Sequence, residues 1–450
     1  MKIGRFVLAA LLALLLASPA MAQEAVDYEN VDPSGQTVTF WHQHSRERET
    51  ALLEIVEEFN TTNEYGITVV AEYQGGYDDI FQKMVALLGT QDTPNIVVAY
   101  QNQAATYQLV DGLVDMTPLV ESERWGLTQE DIDDFFPGFW QSDIFPSFDN
   151  QRLGIAPNRS MEMLYYNQSW LDELREQGLI DFEGPPTTPE QFEAAACAAS
   201  ENAFSGATAT GRPYGYELSI DASRFASWTF AFGGNVYDAE TNRYTLDDPG
   251  AIAAMEFLQG LFEKGCAVFV SEQYGDQTNF GAGRTLFTVS SSSGLPFYQS
   301  AVEAGAGFEW NVAAIPHTTP EPVMNVYGAS VSLPAGHTPE ETVAAWLFLK
   351  YYTGTEAQAA WATASQYFPV RESVAAGLTE FFESLPPYQT AFELLDYGIA
   401  EPNVPGYDFV RALIDSEMAA IMDGADVAET LTFANREANL ILDDQMAQLD

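Results

Sequence analysis

Positive charge is what this sequence has least of. Its 450 residues carry 18 Lys and Arg against 65 Asp and Glu, a formal net charge of −47. A chain this acidic repels nucleic acid, and no basic stripe offers a docking face for it. Histidine occurs four times, and neither His nor Cys falls at zinc-ligand spacing, so no metal centre is expected. Gly75-Gly76 lacks the Lys and Ser/Thr of a phosphate loop, and no cofactor is expected. Past the N-terminal region, no apolar run reaches membrane-spanning length without charge or Gly. Core-forming residues are not scarce. Hydrophobic residues make up 46% and aromatics 13%, which excludes wholesale disorder. The length bounds the chain at about two or three domains.

The N-terminus reads as a processing signal. Lys2 and Arg5 precede an apolar stretch from Val7 to Ala17, and Ala20-Met21-Ala22 supplies the small-residue cleavage site. Residues 1–22 are therefore expected to be a signal peptide cut after Ala22, with a periplasmic or secreted product. The stretch falls short of the ~20 residues a membrane anchor needs. An exported compartment permits a disulfide, and Cys197 and Cys266 allow one intramolecular pairing. Two separate buried thiols remain the alternative.

From Thr37 onward, strands and helices alternate. Gln36 to Trp41, Ile67 to Tyr73 and Asn95 to Tyr100 read as strands. Glu47 to Asn60 reads as a helix with Leu52, Ile55, Val56 and Phe59 on one face, and Tyr77 to Leu88 as another. Such alternation predicts a mainly parallel sheet covered on both faces, with ligands beyond the carboxyl ends of the strands. His42, Gly75, Gly76, Tyr77 and Gln101 sit there. A second block follows, with a strand at Met163 to Tyr166 and a hairpin near Tyr237 to Tyr244. A helix opens after Asp247-Asp248-Pro249. The strand Thr285 to Val289 runs into Ser290-Ser291-Ser292-Ser293-Gly294, and Asn311 to Ile315 and Val326 to Leu333 are also expected as strands.

Five segments, in order along nearly the whole mature chain, resemble the extracellular solute-binding proteins of ABC importers, the family that includes maltose-binding protein. They are Phe40-Trp41-His42 with the acidic helix ending Phe59-Asn60; Leu164-Tyr165-Tyr166-Asn167 with its Pro-rich turn; Thr245 to Phe257; Phe280 to Thr288; and Gln366-Tyr367-Phe368-Pro369. The resemblance implies an α/β, two-lobed periplasmic-binding-protein fold (type II) with the ligand cleft between lobes joined by hinge strands. It places residues 23–157 and 316–352 in one lobe, and 158–315 and 353–450 in the other. The chain would cross near Asn158 to Met161, Val312 to Pro316 and Tyr352. It further implies a monomer that closes over a small-molecule ligand without catalysis and serves the membrane subunits of an ABC transporter.

Within the family the similarity is greatest to the glycerol-3-phosphate-binding branch. That branch implies ligand contacts at Tyr77, Gln101, Ser160, Ser291, Gly328, Tyr367 and Arg411. An Arg fork pairs bidentately with phosphate, and Tyr offers an apolar wall with one polar tip. Blander readings exist for each: a polar turn for the Ser cluster, a surface ion pair for Arg411, core packing for the tyrosines. Two positions depart from the branch. Gln101 stands where the branch has Glu, and no Trp or Tyr aligns near Ile220, where it has a pocket aromatic. The expectation is a ligand of glycerol-phosphate type or a carbohydrate, with a glycerophosphodiester or short oligosaccharide fitting better than glycerol 3-phosphate. The competing class, a secreted glycan-active enzyme, needs a positioned acid/base pair that no motif supplies.

Overall fold

A computed structural model describes residues 26–449. The proposed signal peptide and its cleavage site after Ala22 lie outside the described residues.

Two sheets organise the chain. The first is built from β1 (Thr37–His42), β2 (Thr68–Tyr73) and β3 (Ile96–Ala99), all parallel. The expected helix between β1 and β2 forms as Glu47–Thr62 and buries Leu52, Ile55, Val56 and Phe59. β3 is buried along its whole length, as a strand covered on both faces must be. The second, larger sheet is centred on β4 (Ser160–Asn167), all eight residues of which are buried. Around it lie β5 (Tyr214–Leu218), β6 (Ala267–Phe269), β7 (Thr285–Ser291), β8 (Trp310–Ala313) and β9 (Met324–Tyr327). The order across this sheet is β6-β5-β7-β4-β9, with β8 also pairing β4 and the short edge strand Gly398–Ala400 running parallel to β9. Glu162 interrupts the apolar run of β4, which is why its first residues were not legible as strand.

The stretch Val326 to Leu333, read as one strand, is two. β9 pairs antiparallel with β4 in the larger sheet, and β10 (Ser330–Ser332) pairs antiparallel with β3 in the smaller. Gly328, at φ 150°, carries the change of direction between them. A Cβ there would sit 3.3 Å from the Asn158 carbonyl oxygen and from Arg159 Cα, so both conformation and space favour Gly. Of the expected crossing Val312 to Pro316, Val312 and Ala313 lie in β8 and pair with β4. The helices Pro339–Tyr352 and Thr355–Ser365 both pack on the first-sheet side, against β1 and the helix Glu47–Thr62.

Cys197 and Cys266 form a disulfide, with Cα atoms 4.5 Å apart. The bond ties the helix Pro189–Glu201 to the residue before β6. The same helix lies so close to β5 that a Cβ on Gly215 would come within 1.9 Å of the Ala196 carbonyl oxygen. A Gly at that strand position is what lets the helix settle. Among the described residues no helix is long and apolar enough to cross a membrane.

Candidate functional site

Where the two sheets face each other there is a cavity of about 410 Å³. Every residue of the expected ligand set except Gln101 lines it: Tyr77, Ser160, Ser291, Gly328, Tyr367 and Arg411. Tyr77 opens a helix just past β2, as the strand-end argument expects. Ser160 and Ser291 come from neighbouring strands, and Ser291 stands opposite Glu162 in the β7–β4 ladder. Cross-strand partners share a face, as do residues two apart on one strand, so Ser160, Glu162 and Ser291 form one polar platform.

Gln101 is placed elsewhere. Its amide donates to Asp143 Oδ1 and Ser330 Oγ, each at 3.0 Å. It lines a second, wider groove of about 1330 Å³. The groove shares Tyr77, Tyr100, Asp221, Ser223, Tyr327 and Arg411 with the inner cavity. His42 is fully buried behind the cleft, with neither ring nitrogen hydrogen-bonded among the described residues. Burial holds its imidazole down at about 4. Ile220 lines neither space, and the larger-sheet side contributes Tyr274 to the inner cavity instead.

The remaining lining residues were not singled out in the sequence: Tyr100, Glu162, Asp221, Ser223, Arg224, Ser293 and Tyr327. Arg411 donates to Glu401 Oε2 at 2.6 Å, to Ser223 Oγ at 3.0 Å and to Asp221 Oδ1 at 3.4 Å. Arg224 donates to the Val289 carbonyl oxygen at 2.9 Å and lies 3.7 Å from Asp221 Oδ1. Burial pushes the Asp221 carboxyl up, but Arg224 and Arg411 outweigh it, and the group sits below its ordinary value. Burial also works against the Arg411 guanidinium, yet Glu401 and Asp221 hold it well above the ordinary value. The cavity's two cations and its carboxylates Glu162 and Asp221 thus balance in formal charge. Burial keeps the Tyr77 and Tyr327 phenols well above their ordinary value, so both remain hydrogen-bond donors.

Arg48 is a further residue the sequence did not announce. From the helix Glu47–Thr62 its guanidinium stacks on Tyr367 at 4.3 Å and donates to the Ser365 carbonyl oxygen at 2.9 Å. It also reaches the opposite side, donating to the Ser293 carbonyl oxygen at 2.6 Å.

The comparisons with known proteins agree with this architecture. A family profile described as "Bacterial extracellular solute-binding protein" matches residues 54–390. The sn-glycerol-3-phosphate-binding periplasmic protein UgpB of Rhizobium meliloti (strain 1021) is 24% identical over 414 residues, covering 87% of this chain and 90% of that protein. Among solved structures, UgpB from Mycobacterium tuberculosis in complex with glycerophosphocholine superposes with a TM-score of 0.74 at 22% identity. The match covers 92% of this chain and all of that one (100%). The GacH receptor of Streptomyces glaucescens, solved unliganded and with acarbose, gives a TM-score of 0.75 at 17% identity, covering 91% and 99%. The two-lobed fold of the periplasmic binding proteins is shared with these structures. The family match spans well over half of the chain, and by that measure this protein belongs to the bacterial extracellular solute-binding proteins, the solute-binding components of ABC importers.

Proposed function

We propose that this protein captures a glycerophosphodiester in the inner cavity and releases it unchanged to the membrane subunits of its importer. The observation that carries the reading is the meeting of Tyr77, Ser160, Ser291, Gly328, Tyr367 and Arg411 around one cavity. Charge then selects within the glycerol-phosphate class. Arg411 already carries Glu401 and Asp221, so the cavity offers little uncompensated positive charge. A phosphomonoester brings about −1.5 to −2 at neutral pH, whereas a diester brings a single charge. The adjoining groove of about 1330 Å³ gives the second ester substituent room. The likeness to UgpB proteins, one of them solved with glycerophosphocholine, supports the same class.

A short oligosaccharide is the second reading. The tyrosines around the cavity favour it, namely Tyr77, Tyr100, Tyr274, Tyr327 and Tyr367, because aromatic faces cover the apolar face of a sugar ring. Titration calorimetry with glycerophosphocholine, glycerol 3-phosphate and maltotriose separates the readings. Tightest binding of the diester, with no product on prolonged incubation, is the expected result. Tightest binding of glycerol 3-phosphate overturns the charge argument, and product formation overturns a purely binding role.

The division into residues 23–157 with 316–352 and 158–315 with 353–450 is likewise proposed. The strand change at Gly328 and the packing of the helix Thr355–Ser365 on the helix Glu47–Thr62 favour moving the third segment to about 328–365. Limited proteolysis at these junctions tests the borders. N-terminal sequencing of the exported protein tests cleavage after Ala22.

A further inference from the structure

Glu162 is a carboxyl group in an unusual place. Its residue is 1% exposed, at the centre of the larger sheet, yet it lines the inner cavity. One oxygen, Oε1, accepts from the Tyr327 hydroxyl at 2.5 Å. The other, Oε2, is buried with no hydrogen-bond partner among the described residues. A buried acceptor without a partner costs about 1–3 kcal/mol, more when charged. Glu162 differs from the other unpartnered buried groups in lining the inner cavity, where a ligand hydroxyl can supply the missing bond. On the other side of the cleft, Gln101 donates its amide N–H to Asp143 and Ser330 and does not line the inner cavity.

We propose that Glu162 is a specificity-determining ligand contact whose free oxygen accepts hydrogen bonds from the hydroxyl groups of a glyceryl moiety. This rests on the glycerophosphodiester reading and adds the recognition of its alcohol end. Ser160 and Ser291, on the same face of the sheet, flank the carboxyl and supply neutral donors and acceptors for the same hydroxyls. The surrounding charges fit the role. Burial raises the carboxyl above its ordinary value, while Arg224 and the Tyr327 hydrogen bond draw it back, and Asp221 and Glu401 push it up again. A phosphate seated against Oε2 would face a carboxylate, so Glu162 orients the ligand with its phosphate turned away. A dianionic monoester, too small to keep that distance, is disfavoured.

The test compares wild type with Glu162→Gln, which keeps the size of the side chain and an acceptor for Tyr327. The probes are glycerophosphocholine, its analogue lacking both glyceryl hydroxyls, and glycerol 3-phosphate. Wild type is expected to prefer glycerophosphocholine over the deoxy analogue by about tenfold or more, the scale of a hydrogen bond to a charged group. In Glu162→Gln that preference shrinks to about threefold, and affinity for glycerol 3-phosphate rises. Movement in opposite directions for the two phosphates is a signature that mere loosening of the sheet cannot produce. Glycerophosphocholine affinity within twofold of wild type, with the deoxy discrimination intact, overturns the proposal and leaves the glycerophosphodiester reading standing. Failure of wild type to bind glycerophosphocholine overturns both. Should Glu162→Gln not fold, the deoxy comparison in wild type decides, and a loss below twofold overturns the role of Glu162.

Discussion

The two sides of the cleft are built on opposite chemical plans. The side based on the four-stranded sheet presents Tyr77 and Tyr100 to the inner cavity, both neutral. Every charged lining residue, Glu162, Asp221, Arg224 and Arg411, comes from the side based on the larger sheet. The difference has a physical reason. A buried charge is tolerable only with its partners in place, and separating such a pair strands an uncompensated charge. Gathering the ionic network on one side lets the other swing away without breaking it. Moving the neutral aromatic wall then costs apolar contact and the Arg48 bond to Ser293, and leaves the ionic network whole.

The largest expected effect isolates the larger-sheet side. Replacing both Cys197 and Cys266 by Ser removes a bridge across 69 positions, and a loop of that size contributes ~4 kcal/mol in the chain-entropy account. Chemical denaturation should show that loss, with ligand affinity retained because neither cysteine lines the cavity. Weakened binding instead would mean that the two sides are coupled through the disulfide.

Arg411→Ala strikes the ionic network itself and leaves Glu401 and Asp221 without their shared partner. Discounted for the partial exposure of the Arg, the destabilisation is about 2 kcal/mol, accompanied by a fall in ligand affinity beyond tenfold. Tyr77→Phe, on the neutral wall, should cost only a few-fold in affinity and, through the lost bond from Gln43, about 1 kcal/mol of stability or less. Equal effects of the two on stability would erase the contrast between the sides.

Arg48→Ala tests what joins them. The variant loses the stack on Tyr367 and the bonds to Ser365 and Ser293, worth about 1 kcal/mol in total for partly exposed groups. Stopped-flow measurements should show faster ligand dissociation with little change in association, since Ser293 is held only when the sides are together. An unchanged dissociation rate would refute a closing role for Arg48.

The smallest effect is in pH dependence, where the two sides oppose each other. His42, on the smaller sheet, has a folded value of about 4, against 6.5 for the free side chain. The unfolded chain therefore binds its proton first, and stability is lost as pH falls from about 6.5 towards 4. Asp408 and Asp415, on the helix Tyr407–Met422, are raised by burial from 3.8 to about 6. Their contribution runs the other way and is lost as pH rises through that window. His42→Leu should flatten the acid limb of the stability profile, and Asp408→Asn with Asp415→Asn should steepen it. Identical profiles would remove the opposition.

Local pattern determined much of this protein. Periodicity placed Leu52, Ile55, Val56 and Phe59 on the buried face of their helix, because a 3.6-residue repeat requires no knowledge of what packs against it. Strand ends marked Tyr77, and motif resemblance brought residues as distant as Ser160 and Arg411 to one cavity. Three things were beyond its reach. Val326 to Leu333 reads as one apolar stretch, and only the pairing of its halves with different sheets shows that Gly328 divides it. Gln101 stands at the right strand end, but Asp143 and Ser330, far away in sequence, turn its amide out of the inner cavity. Glu162 reads as a polar intrusion in a strand, and its role emerges only once β7 sets Ser291 beside it. Side-chain periodicity and strand ends are properties of the chain near each residue. Which carboxyl finds a partner and which is left facing the ligand depends on groups the fold brings together from elsewhere, and no local pattern encodes that.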